Sequence, residues 1–191
     1  ITNLPLANPI AGGGGGALTS TNIAAPVVGM RYWFDPRFGL DVGLGFGLAG
    51  GSDQTVAGGT TTTTSKESTT GFAVHAGVPI ALASYKHYTF LVVPNATLGI
   101  ASGSVGGNPS QSLSGFLFDI GARVGAEIHF GMIGLPQLAL QATVGLSYRR
   151  SVYKWSSNGN SASDGTNTFG TNVQSNPWSI FQDAISATYY F

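Results

Sequence analysis

Glu127 and His129 stand two residues apart. In an extended chain that spacing puts both side chains on one face. A carboxylate beside an imidazole is the minimum for acid–base chemistry. Asp119 and Arg123 precede them at the same parity, and Arg31, Asp41, His75 and Arg149 fall among small or apolar residues elsewhere. The charges are balanced: Arg31, Arg123 and Arg149 against Asp41, Asp119 and Glu127. Such a set reads first as a closed polar network filling an interior, because buried charges persist when paired and hydrogen-bonded. It reads second as the lining of a narrow conduit. Catalysis is the weakest reading. His75 has no serine or cysteine that the sequence places beside it, and Glu127 with His129 lies at the strand end remote from surface substrates. His75, Glu127 and His129 lack a recognised metal-ligand spacing, so neither a metal nor a cofactor is expected. The glycines at 12–16 and at 43, 45 and 47 are not followed by the Lys-Ser/Thr of a phosphate loop.

The elements that must position these residues are strands. Over residues 38–49, Leu40, Val42, Leu44, Phe46 and Leu48 alternate with Asp41, Gly43, Gly45 and Gly47, a period of two. Five large apolar side chains need more room than a narrow interior offers, so the large face is expected outward and the small face inward. The same parity runs through residues 28–34, 72–82, 90–100, 116–130 and 138–148. It turns every charge named above inward. Connections alternate between short (35–37, 85–88, 131–136) and long (52–71, 101–112, 153–176). Residues 2–10 are the candidate for one further strand, although Pro5 and Pro9 make it a poor one. The threonine run 60–64 and the Ser/Asn/Gly-rich segment 156–175 read as uncharged surface loops.

Composition narrows the class. Charged residues are 8% of the 191, against about 25% in an ordinary soluble domain. No run of about 18 apolar residues exists, which excludes a spanning helix. The formal net charge of zero gives no footprint for nucleic acid, and cysteine is absent. The length suits one domain over residues 1–191. The first residues lack a charged and an apolar leader region, so the chain is expected to be a mature form after signal-peptide removal.

The last residues, with Ile185, Ala187, Tyr189 and Phe191 at alternate positions, resemble the closing strand of bacterial outer-membrane β-barrels. The chain as a whole resembles the small eight-stranded barrels of the OmpA/OmpX-like class. The resemblance implies an all-β, eight-stranded antiparallel transmembrane β-barrel with short periplasmic turns and longer extracellular loops, integral to the outer membrane of a Gram-negative cell. The function then expected is structural and not enzymatic: a side-chain-filled lumen, with polar cell-surface loops for contacts or self-assembly. A narrow porin-like channel is the alternative, and a lipid-modifying barrel enzyme the third reading. Expected partners are outer-membrane lipid, a homo-oligomer or surface lattice, and the insertion machinery that reads the C-terminal strand. Asp183 breaks the outward parity. It marks either a bulge that turns it inward or an assembly interface.

Overall fold

The computed structural model describes residues 2–8, 18–65, 67–106, 109–135, 138–171 and 185–189. Thirteen strands follow in chain order: β1 (Thr2–Ala7), β2 (Ser20–Ala25), β3 (Val27–Trp33), β4 (Gly39–Ala49), β5 (Ser52–Ala57), β6 (Thr60–Ser65), β7 (Ser68–Gly77), β8 (Ile80–Ser84), β9 (Tyr88–Val105), β10 (Gln111–His129), β11 (Leu138–Ser157), β12 (Asn160–Thr171) and β13 (Ile185–Tyr189). Among the described residues one 3-10 turn, Phe130–Ile133, lies between β10 and β11. Nine strands form the main antiparallel sheet, in the spatial order β12-β11-β10-β9-β7-β4-β3, with β13 also on β11 and β8 also on β9. Prolines set the breaks. Val78 and Pro79 separate β7 from β8, and Val78 N–H donates to the Pro94 carbonyl. Pro26 separates β2 from β3, because a residue with no N–H cannot continue the ladder.

Among the described residues the two ends of this sheet, β3 and β12/β13, are not hydrogen-bonded to each other. The sheet is open, which overturns the expected eight-stranded transmembrane β-barrel and the OmpA/OmpX-like resemblance. Sequence alternation specifies which face each residue takes, and it is blind to whether the first and last strands meet. The N-terminal segment, expected as one further wall strand, pairs among the described residues only with β2, from Thr2↔Ala25 to Ala7↔Ser20. An open edge carries unpaired N–H and C=O groups, which hydrocarbon cannot satisfy. The integral outer-membrane location, the porin-like channel and the barrel enzyme therefore fall with the barrel, as does the filled lumen.

The β1–β2 hairpin supplies the core. It lies over the concave face of the main sheet, with Leu4 and Leu6 fully buried against Leu113, Leu117, Tyr153 and Trp155. Glycine makes this approach possible. A Cβ at Gly99 would overlap the Leu4 side chain, and one at Gly115 would overlap the Pro5 carbonyl. The convex face is the reverse. Val28, Leu44, Leu98, Val124 and Val144 are all exposed, Val28 to 80%.

Two segments read as loops are hairpins. Thr60–Ser65 pairs with Ser52–Ala57, and Asn160–Thr171 pairs with the outer half of β11 from Leu146↔Thr171 to Ser157↔Asn160. Their tight turns have positive φ at both central residues, Gly58–Gly59 and Asn158–Gly159, which is the turn that matches strand twist. Threonine favours strands, so polar composition concealed a strand signal. The residues at 12–16 and Asp183 and Phe191 lie outside the described residues. Ile185, Ala187 and Tyr189 belong to β13, which pairs with the inner half of β11 through Ala142↔Ile185, Leu140↔Ala187 and Leu138↔Tyr189.

Candidate functional site

The concave face is divided into two compartments. The end bearing the long hairpins holds the apolar core under β1 and β2. The opposite end holds the charges. One row of neighbours crosses the sheet there: Gly43, His75, Thr97, Asp119 and Arg149 are successive register partners on β4, β7, β9, β10 and β11. The two-residue period puts the polar members of these strands on the same side.

Arg31 is the centre of the cluster. Its Nε donates to Asp41 Oδ1 at 2.6 Å and its Nη2 to Asp41 Oδ2 at 2.8 Å, a fork-on-fork pair between neighbouring strands. Its Nη1 donates to Glu127 Oε2 at 2.8 Å. Glu127 is 1% exposed. The guanidinium carbon also lies 5.8 Å from the centre of the Trp33 ring, within range of a cation–π attraction. Arg149 Nε donates to Asp119 Oδ2 at 2.9 Å. His129 Nε2 is 3.3 Å from Thr89 Oγ1 and 3.8 Å from Glu127 Oε1. His75 Nδ1 is 2.8 Å from Thr97 Oγ1. Burial and then the positive charge of Arg123 push the His75 imidazole below its ordinary pKa, against a smaller opposing pull from Asp41 and Asp119.

Arg123 does not do what its spacing suggests. It lies at the same parity as Asp119 and Glu127, yet Arg149 and Arg31 hold those carboxylates. Among the described residues Arg123 has no ion pair or hydrogen bond, and its Nε is buried. Burial lowers its pKa, with Asp41 opposing. The structure thus brings Arg31, Asp41, Glu127 and His129 together in one network and Asp119 with Arg149 in another. His75 and Arg123 stand near both. Thr89, Thr97 and Trp33 join these networks without having been singled out in the sequence. An inward Thr carries no charge signal, and the indole contact depends on how the sheet curls.

The charged network has little open space beside it. The cleft beside it, lined by Trp33, Ser84, Thr89, Glu127 and His129, has a volume of about 120 Å³. That holds a few waters and is below the roughly 300 Å³ at which ligand pockets begin. Among the described residues no group of three or more His, Cys, Asp or Glu side chains is arranged to hold a metal ion.

A larger opening lies at the other end. β3 pairs with β4 only as far as Val27↔Gly45. Beyond that register the chain turns inward at Pro26, and residues 46–49 of β4 keep β7 on one side, from Phe46↔Phe72 to Ala49↔Thr69. The gap is a crevice of about 1050 Å³ between β2 and the upper part of β4. Sequence periodicity gave no sign of it, since it arises where a strand leaves the sheet.

Comparison with known proteins finds no family model, no curated protein and no solved structure that matches this chain.

Proposed function

We propose that this chain is a non-catalytic, lipid-contacting protein whose convex sheet face lies against acyl chains. One observation carries the reading: large apolar side chains stand exposed on consecutive strands β3, β4, β7, β9, β10 and β11, among them Met30, Leu44, Val74, Leu98, Ile120 and Val144. Exposed apolar patches on ordinary soluble monomers rarely exceed a few hundred Å². Here the apolar side chains continue across six strands of a strongly curled sheet. A second folded copy covers one direction of such a surface. Fluid acyl chains conform to its curvature, while the open edges of the sheet stay out of the hydrocarbon. Tyr32, Phe34, Phe38, Tyr85 and Tyr88 are exposed toward the short-turn end, and amphipathic rings favour the boundary between hydrocarbon and headgroups.

Flotation with phosphatidylcholine vesicles tests this. The purified chain is expected to rise with the vesicles at high salt, since the attraction is apolar. Leu44→Arg is expected to reduce the vesicle-bound fraction, because a guanidinium on the convex face must lose water to meet acyl chains. A chain that stays dispersed as a defined oligomer in detergent-free buffer, and does not float, refutes lipid contact and favours self-association through the same face.

A further inference from the structure

We infer that the crevice between β2 and β4 is a discrete binding site for one single-chain amphiphile with an uncharged or cationic head. The inference deepens the lipid reading, on which it rests for the source of the ligand. The site is shaped by a single event in the chain. At Pro26 the backbone abandons the sheet, and β2 passes inward over β4, so close that a Cβ at Gly47 would overlap the Ala24 carbonyl. Among the described residues no strand pairs with the upper part of β4 on this side.

Three features define the occupant. The first is size. A volume of about 1050 Å³ is at the upper end for small-ligand pockets, which run to about 1,000 Å³. The second is the run of the walls. Phe46 and Leu48 belong to the exposed convex face, while Ile23 and Val105 pack against the buried core under the hairpin. The crevice therefore joins the outer apolar surface to the interior apolar cluster. An alkyl chain sliding in from the convex side meets apolar atoms along its length. The third is charge. Glu67 is the charged residue among the described residues lining the crevice, alongside the polar Thr21, Asn22 and Thr69. A carboxylate in the lining repels an anionic head and accepts a hydrogen bond from a hydroxyl, amide or ammonium head.

Photolabelling of the full chain in phosphatidylcholine vesicles tests the site. The probes are three dodecyl compounds that carry a diazirine on the chain and end in an alcohol, an amine or a carboxylate. The amine and the alcohol are expected to label peptides containing residues 21–26 and 46–50 saturably, and unlabelled dodecylamine is expected to compete. Labelling of the convex face around Leu98 and Val124 is expected to rise without saturation. Ala49→Trp, which narrows the crevice, is expected to reduce the saturable part at least tenfold while leaving flotation unchanged. Glu67→Lys is expected to shift preference toward the carboxylate probe. Labelling at 21–26 and 46–50 that saturates no more than the convex face overturns the site. So does saturable labelling that Ala49→Trp leaves intact. Failure to float, by contrast, sinks the lipid reading. The same labelling on chain kept in neutral amphipathic polymer then decides the crevice separately, with the same two results overturning it.

Discussion

Arg31 on β3 and Glu127 on β10 meet at 2.8 Å although β4, β7 and β9 lie between their strands in the sheet. Strands sit about 4.8 Å apart, so the path along the sheet is roughly 19 Å. An arginine side chain does not reach that far. The sheet must curl until its first strand faces its fifth across the concavity, and this ion pair spans the chord of that curl.

Arg31→Leu is therefore expected to be far more damaging than Arg123→Leu. The first removes the guanidinium shared by Asp41 and the enclosed Glu127, and breaking a buried ion pair by removing one partner typically costs about 3–5 kcal/mol. The second removes a guanidinium that has no ion-pair or hydrogen-bond partner among the described residues. It is expected to change stability by less than about 1 kcal/mol. Urea unfolding midpoints of the two variants decide the matter. Equal losses would show that Arg123 is the real partner of Glu127 or Asp119 in solution.

Acidification is expected to weaken the fold through His75. Its folded-state pKa lies below the ordinary value of 6.5, so the folded chain binds that proton less readily than the unfolded chain does. The contribution is fully present above about pH 6.5 and is lost as the pH falls from there through the folded pKa. His75→Gln is expected to flatten the stability curve over this window while keeping a polar contact to Thr97. A wild-type profile with the same slope as the variant's would remove His75 from the account.

The turn at Asn158–Gly159 is expected to govern β12. Replacing both residues by alanine forces side chains into a backbone conformation they disfavour. Amide exchange over residues 160–171 is expected to accelerate by more than tenfold, with β9 and β10 unaffected. Protection retained in β12 would mean that pairing with β11 holds the hairpin without its turn.

Strand parity carried much of this structure in the sequence. Leu44 and Gly45 take opposite faces because a strand has no other choice. The charges gather on the concave side for the same reason. What parity could not supply was partnership and closure. Arg123 has the spacing to serve Asp119 and Glu127, but those carboxylates are claimed by Arg149, a direct register neighbour of Asp119, and by Arg31, brought in by curvature. Neither is a property of one strand. The second failure came from composition. Asn160–Thr171 looks like a solvated polymer, yet its threonines suit a strand and the Asn-Gly before it is a hairpin turn. The third was Pro26, a single residue that takes the N-terminal segment out of the sheet and opens the crevice.

The hairpin laid over the concave face also orders events in time. Leu4 and Leu6 find their partners on β10 and β11, more than a hundred residues later in the chain. Their cradle does not exist until those strands have paired. Closing so long a span is slow, so the apolar centre is expected to consolidate last, after a curled sheet stabilised first by neighbouring hairpins. Trp155, 6% exposed beneath the hairpin, is the reporter. In refolding, its fluorescence is expected to settle in a phase slower than the growth of the β-sheet circular dichroism signal. Coincident phases would mean that hairpin and sheet form together. The interval between them is a period in which the glycine-lined groove stands open to whatever apolar chain reaches it first.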